Sequence, residues 1–192
     1  MSTTMPIKDP DYLKKMENYY LKEKIRPRNY LLIITGLNTA LRISDILRLK
    51  WDDVYSFECR NFRQYLYIKE KKTGKNNMIY INDALKRGLE YYSKYNAMRP
   101  GAYLFVSNKG INKPITRQQA HRVIKEAAAK AGMSDRIACH SMRKTPGYFA
   151  FKKGIAPVLI MDMYNHSSYA VTKRYLGIEQ EEKDEIFKNV LL

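Results

Sequence analysis

Apolar residues recur at intervals of three and four along most of this chain, and that period predicts helices. Near the N-terminus, Asp9 and Pro10 are typical of an N-cap and a first helical residue. Leu13, Met16 and Tyr20 then follow at helical spacing, so a first helix is predicted from Pro10 onward.

Two more helices are predicted after Pro27, which interrupts the first one. The earlier of the two begins near Arg28 and runs through "NYLLIITGL". The later one covers "RISDILRL" and places Ile43, Ile46 and Leu47 on its buried side.

Between Trp51 and Ile81 the pattern becomes typical of strands. "QYLYIKE" and "NMIYIN" are rich in β-branched and aromatic residues, and "KKTGKN" between them supplies a turn. These segments predict an antiparallel hairpin. The preceding "DDVYSFE" is predicted to be a third strand.

Helical signals return after Asp83. "TRQQAHRVIKEAAAKAG" opens with a capping box formed by Thr116 and Gln119 and ends at Gly132. Two more helices are predicted in "HSMRKTPGYFAFKKG", which ends at Gly154, and in "APVLIMDMY".

A short helix is then predicted between Ser168 and Gly177, and a last one in "EQEEKDEIFKNVLL". The last helix carries an apolar stripe formed by Ile186, Phe187, Val190 and Leu191. The whole pattern predicts a mainly α fold with one small antiparallel β-sheet, which is an α+β class, and no linker marks a second domain.

Charge narrows the class of partner. Lys and Arg number 35 against 19 Asp and Glu, a formal net charge of +16, and such a field attracts nucleic acid or an anionic membrane surface. The chain lacks an apolar run of the ~18 residues that a membrane span needs, and "MSTTMPIKDP" has no signal-peptide core. Cys59 and Cys139 lack metal-site spacing, so we expect reduced thiols and a cytoplasmic protein.

A few polar residues are candidates for chemistry. His140 and Arg143 are three apart, which places both on one face of a helix. Taken singly, each candidate is more often a solvated charge or a structural residue. The candidate set is Arg42, Lys72, His140, Arg143, His166 and Tyr175.

Taken together, these residues resemble those of the tyrosine recombinase (phage integrase) family. "TALRISDILRLKWDDV", "KEKKTGKNNMIYI", "HSMRKT" and "NHSSYAVTKRYL" are similar to its four signature segments and occur in the family's order. The resemblance implies a catalytic domain over residues 28–178, preceded by an N-terminal extension with the first helix over 1–27. Residues 179–192 would form a tail helix that docks on a neighbouring protomer, or alternatively packs on its own domain.

The resemblance implies transesterification at a DNA phosphodiester, with Tyr175 as the nucleophile that leaves a 3′-phosphotyrosine and a free 5′-hydroxyl. Arg42 and Arg143 would clamp the equatorial phosphate oxygens, whose negative charge grows in the five-coordinate transition state.

The remaining candidates would move protons or support the phosphate. Lys72 would be the general acid for the leaving 5′-oxygen, His140 the base for the tyrosine proton, and His166 a donor to a phosphate oxygen. Asp45 would orient the first arginine or neighbouring groups, and Lys144 stands where many relatives carry a second histidine. The resemblance implies no metal, no other cofactor and no ATP.

The implied partner is double-stranded DNA, bound by a monomer or weak dimer that becomes a homotetramer on paired sites. The implied setting is cytoplasmic and nucleoid-associated, of bacterial or phage origin. Two alternatives stay open: a DNA-binding regulator that keeps the fold without activity, and a type IB topoisomerase. An excised fragment and a stand-alone catalytic-domain recombinase also stay open.

Pro146 conflicts with the helix that would present His140 and Arg143. It has no N–H for the carbonyl of Met142, and a proline inside a helix costs ~3 kcal/mol. In the resembling family an aromatic residue is usual at this position. We therefore expect the regular helix to start only at Thr145 or to kink, and we expect Pro146→Phe to raise the thermal midpoint and phosphotyrosyl adduct formation.

Overall fold

Helices dominate the structure, a computed structural model that describes residues 4–134 and 136–190. The helices are α1 (Pro10–Asn18), α2 (Pro27–Thr39), α3 (Ile43–Ile46), α4 (Trp51–Val54), α5 (Asp83–Ser93), α6 (Arg117–Lys130), α7 (Cys139–Lys152), α8 (Pro157–Tyr164), α9 (Tyr169–Leu176) and α10 (Glu179–Asn189). The strands are β1 (Tyr55–Ser56), β2 (Asn61–Phe62), β3 (Tyr65–Lys69) and β4 (Asn76–Tyr80). The predicted α+β class is confirmed.

The first helices follow the sequence signals closely. The carboxylate of Asp9 accepts a hydrogen bond from the Asp11 N–H at 2.8 Å and caps α1. A π-helical turn, Tyr19–Glu23, continues α1, and α2 begins at Pro27. The third helix is shorter than predicted, because only Ile43–Ile46 is helical.

The hairpin prediction is confirmed, and the preceding strand is confirmed only over Tyr55–Ser56. In the hairpin, β3 pairs with β4 so that Lys69 lies opposite Asn76. Within "DDVYSFE", the first residues belong to α4, because the Asp53 carboxylate accepts the Lys50 N–H at 2.7 Å and closes a helical turn. Only Tyr55–Ser56 is extended, and it pairs with β2 in a separate two-stranded ladder.

The helix that was expected to be disturbed by Pro146 is continuous. Helix α7 begins at Cys139, close to the predicted start at His140, and runs through Pro146 to Lys152. A start at Thr145 is therefore wrong. Beside the proline, the hydroxyl of Tyr164 on α8 bonds to the main chain of α7.

Two apolar clusters form the interior, and α7 lies between them. Met142 belongs to the larger cluster with α2 and α6, while Tyr148 belongs to a smaller one with Ile160 and Leu176. A Cβ on Gly36 would stand 2.9 Å from the Met142 Cβ, so the missing side chain lets α2 approach α7 closely. This approach brings the end of α2 beside the segment "HSMRKT".

The tail helix α10 leaves its apolar stripe in solvent. Ile186, Phe187 and Val190 are 61%, 79% and 56% exposed, so packing of these three on their own domain is wrong. Leu191 lies outside the described residues. Within the described ranges, no helix is both long and apolar enough to cross a membrane.

Candidate active site

Arg42 stands at the N-cap of α3, directly after the segment that follows α2. Its main-chain carbonyl accepts the N–H groups of Asp45 and Ile46, which fixes the start of α3. Its guanidinium Nη1 donates to Glu70 Oε2 at 2.5 Å. The loop between α2 and α3 therefore holds Arg42 against the end of β3.

Arg143 is almost fully buried on α7. Its Nη1 donates to the carbonyl of Ala40, and its Nη2 donates to the carbonyl of Tyr164 at 3.4 Å. Ala40 has φ 52°, a left-handed conformation that costs an L-residue about 1–2 kcal/mol. The turn after α2 therefore carries backbone strain where its carbonyl meets this arginine.

Glu70 contacts both arginines. It is not among the candidate site residues predicted from the sequence. Its Oε2 accepts the Thr73 hydroxyl at 2.9 Å besides Arg42, and its Oε1 lies 3.9 Å from Arg143 Nη1. Although burial acts to raise the pKa of Glu70, hydrogen bonds and the two guanidiniums hold it below its usual value. Glu70 is thus an ionised, buried carboxylate between two cations.

A signal for Glu70 was present in the strand pattern. Leu66 and Ile68 face the interior from β3, and a period of two places Glu70 on the same face. Glu70 stands within the charged segment "KEKKTGK". Because a run of charges usually indicates a solvated turn, burial of Glu70 was not predicted.

Asp45 and the hairpin tip are connected through the main chain. The Asp45 carboxylate is buried and accepts the Lys71 N–H at 3.0 Å. The same carboxylate lies 3.9 Å from Arg48 Nη1, so its contacts are with the hairpin and with Arg48, and its proposed role toward Arg42 stays a prediction. Lys72 is exposed in the turn, directly before Thr73, whose hydroxyl donates to Glu70.

Tyr175 lies on α9 with its hydroxyl buried. Its ring meets the ring of His166 at 5.1 Å, edge to face. No group among the described residues meets hydrogen-bond geometry with the Tyr175 Oη. Burial raises the pKa of Tyr175, and the nearby Arg143 and Arg42 guanidiniums oppose that rise.

Two groups flank Tyr175 on either side. The Nδ1 of His166 is 3.0 Å from the hydroxyl of the buried Thr172, which orients the imidazole. The Lys144 ammonium lies 4.9 Å from the centre of the Tyr175 ring and donates to the Thr4 carbonyl at 2.7 Å. Burial lowers the pKa of Lys144, and burial with the arginine charges lowers that of His166.

His140 lies at the start of α7 and is exposed. It lines an open cavity of about 600 Å³ with residues that include Arg117 and Arg122 of α6. Burial of part of the ring, followed by the charge of Arg143, lowers the pKa of His140. This shift favours the neutral form of the imidazole near pH 7.

The structure brings together five of the six candidates. Arg42 and Arg143 converge on Glu70, and the charge of Arg143 acts on His140, His166 and Tyr175. Lys72 and His140 are the exposed members of the set. Within the described part of the chain, no group of three His, Cys, Asp or Glu side chains could hold a metal ion. The arrangement places two guanidiniums, which carry more positive charge than Glu70 neutralises, beside a phenol, and such a cluster can attract an anion.

Comparison with known proteins agrees with this geometry. The model of the phage integrase family matches residues 9–182. The probable integrase/recombinase YoeC of Bacillus subtilis (strain 168) is 36% identical over 181 residues, which cover 94% of this chain and 93% of that protein. The tyrosine recombinase XerA of Pyrococcus furiosus is 28% identical over 86% of this chain and 55% of its own length.

Solved structures show the same fold. The crystal structure of XerA recombinase has a TM-score of 0.74 at 20% identity, covering 96% of this chain and 63% of that one. XerH recombinase bound to its palindromic difH substrate has a TM-score of 0.73 at 19% identity, covering 97% of this chain and 52% of that one. With a family match that spans most of the chain, this protein belongs to the phage integrase family of tyrosine-type site-specific recombinases.

Proposed function

We propose that the chain cleaves and rejoins double-stranded DNA at specific sites through a 3′-phosphotyrosine bond to Tyr175. The observation that supports this most is the convergence of Arg42 and Arg143 on one buried carboxylate, with Tyr175 beside Arg143. Preorganised cations aimed at developing charge are commonly the largest catalytic contribution.

In this proposal the arginines bind the non-bridging oxygens of the scissile phosphate. The Tyr175 Oη forms a bond to phosphorus while the bond from phosphorus to the 5′-oxygen breaks. His140 accepts the phenolic proton, Lys72 donates a proton to the leaving 5′-oxygen, and His166 donates to a phosphate oxygen. The ester bond is conserved in the adduct, so rejoining needs no ATP.

The proposed partner is double-stranded DNA, in keeping with relatives such as XerH, whose structure holds its difH substrate. We propose a monomer or weak dimer in the free protein and a homotetramer on paired sites. In this assembly the exposed stripe of α10 reaches a neighbouring protomer.

A suicide DNA substrate tests the reaction directly. The parent protein should form a covalent adduct that survives denaturing electrophoresis, whereas Tyr175→Phe should form none while binding DNA with unchanged Kd, because only the hydroxyl is lost. Tyr169→Phe is the matched control, since the Tyr169 hydroxyl is bonded to Glu182. An adduct in Tyr175→Phe would move the nucleophile elsewhere. No adduct with the parent would favour the DNA-binding regulator.

A further inference from the structure

A side chain from α8 bonds to the main chain of α7 directly beside Pro146. In a regular helix the Gly147 N–H donates to the Arg143 carbonyl. Here the Gly147 N–H donates to the Tyr164 hydroxyl at 3.0 Å, and that hydroxyl donates to the Arg143 carbonyl at 2.7 Å. One phenol oxygen therefore bonds to both main-chain groups that would pair with each other in the turn directly after the proline.

The bridge depends on a glycine at position 147. A Cβ at that position would stand 2.3 Å from the Tyr164 Oη and 2.5 Å from its ring, far inside contact distance. Tyr164 itself is fully buried. Pro146, Gly147 and Tyr164 thus form one unit, in which the proline lacks an N–H for the Met142 carbonyl, the glycine leaves room for the phenol, and the hydroxyl bonds to the Gly147 N–H and the Arg143 carbonyl.

The same Tyr164 ring contacts three residues of the proposed site. The Arg143 guanidinium lies 5.2 Å from its centre, the His166 ring stacks on it at 5.3 Å, and the Tyr175 ring meets it edge-on at 5.2 Å. Its main-chain carbonyl also accepts from Arg143. A shift of Tyr164 would therefore move the phosphate clamp and the nucleophile together.

We propose that Tyr164 is a positioning residue, whose hydroxyl fixes the opened turn of α7 and whose ring sets Arg143 against His166 and Tyr175. This inference rests on the proposed recombinase reaction. Both hydrogen-bonding capacities of the Tyr164 hydroxyl are used by the main chain, so it acts through Arg143 and Tyr175 and does not itself attack phosphorus.

The test pairs Tyr164→Phe with Pro146→Ala. Loss of the hydroxyl leaves the Gly147 N–H and the Arg143 carbonyl apart, because the proline ring keeps the turn open. We expect single-turnover cleavage of the suicide substrate to slow by about 10- to 100-fold, as small misplacements of reacting groups do, at an unchanged Kd for DNA. In Pro146→Ala/Tyr164→Phe the turn can close directly, so cleavage should return to within about threefold of Pro146→Ala, a coupling that a double-mutant cycle measures.

Tyr148→Phe is the matched control. Tyr148 is a buried tyrosine of the same helix, and its hydroxyl bonds to Glu181, away from Arg143. Cleavage by this variant should equal that of the parent. If Tyr164→Phe slows cleavage no more than Tyr148→Phe does, or if the double variant stays as slow as Tyr164→Phe, the proposal is overturned.

A second readout separates this inference from the proposed reaction. In spectra of ¹⁵N-arginine-labelled protein, the Nε–H resonance of Arg143 should move in Tyr164→Phe and return in the double variant, whether or not the parent cleaves DNA. If the parent protein forms no adduct, only the proposed reaction is refuted. If the Arg143 resonance does not move in Tyr164→Phe, the positioning role is refuted. Should Tyr164→Phe fail to fold, recovery of folding and of that resonance in the double variant supports the proposal, and an unfolded double variant overturns it.

Discussion

At the scale of single residues, Glu70 shows how a carboxylate can organise a site built for an anion. Its charge faces Arg42 and Arg143 from the buried end of β3. The two guanidiniums are thereby fixed in the free protein, and only part of their charge is neutralised. A phosphate that binds them does not have to order both side chains first.

Replacement of Glu70 by Gln should weaken the fold. The variant keeps the shape but loses the charge-assisted hydrogen bond to Arg42, and such bonds contribute about 1.5–3 kcal/mol to the free energy of unfolding. Urea denaturation measures the change. Glu23→Gln, at an exposed position, is the control, and its change in the free energy of unfolding should be near zero. Equal stability of both variants would show that the pair contributes nothing.

The histidines predict a pH dependence of stability. The pKa values of His140 and His166 in the folded protein lie below their ordinary value of 6.5. Between the lowered values and 6.5 the unfolded chain binds more protons, so stability is complete above about pH 7 and falls as pH drops through 6.5. Thermal midpoints at pH 7.5 and 5.5 measure this loss.

The double variant His140→Gln/His166→Gln should lose part of that pH dependence. His121→Gln, at an exposed position of α6, serves as the control. A double variant with the slope of the parent would assign the dependence to other groups.

The contacts beside Pro146 lower the gain in stability that is expected from replacing this proline. The Tyr164 hydroxyl already satisfies the Gly147 N–H and the Arg143 carbonyl. Pro146→Phe should still raise the thermal midpoint and adduct formation, but by less than the ~3 kcal/mol cost of a proline inside a helix implies. Differential scanning calorimetry and the suicide substrate measure the two effects. A lower midpoint would show that proline is the better residue at this position.

At the scale of elements, the sequence predicted what is encoded locally. The starts of α1, α6 and α9 follow from three N-cap residues, Asp9, Thr116 and Ser168, whose side chains accept hydrogen bonds from the first turn of each helix. The strand predicted in "DDVYSFE" came out too long, because the hydrogen bond from the Lys50 N–H to Asp53, which begins α4, was not anticipated.

The candidate site was predictable only as far as residue types and spacing reach. Arg42, Arg143, His166 and Tyr175 were selected because the signature segments carry them. Glu70 and Tyr164 were not found, because their roles come from contacts between distant segments. Tyr164 supports a turn that lies 17 positions earlier in the chain, and no local pattern reports such a contact.

The tail helix α10 supports a prediction about assembly. Deletion of residues 179–192 should spare binding to a single DNA site and reduce synapsis of paired sites, measured by native gel mobility. The deletion also removes Glu181, which is bonded to Lys8 and Tyr148. Ile186→Ser/Phe187→Ser is therefore the sharper variant, since it keeps those contacts and removes exposed apolar area. Unchanged synapsis in both would exclude the tail as connector.

At the scale of the whole molecule, the net charge of +16 predicts salt-dependent binding. Each phosphate neutralised adds ~0.9 to the slope of log Kd against log salt concentration. Fluorescence anisotropy between 50 and 300 mM salt, about a sixfold range, measures the slope. Arg117→Gln, which removes one cation from the cavity beside His140, should reduce the slope by about one. A flat dependence would argue against a DNA partner.

The buried Tyr175 hydroxyl has a consequence for timing. An oxygen without solvent contact cannot reach the phosphorus of DNA lying on the surface until neighbouring groups move. In the reaction proposed above, an opening step would therefore precede bond breaking and would set a delay between encounter and cleavage. Phosphodiesters that leave the basic surface before the delay has passed stay intact, whereas a site that is held longer is cut. Residence time, and not contact alone, then decides which DNA is broken.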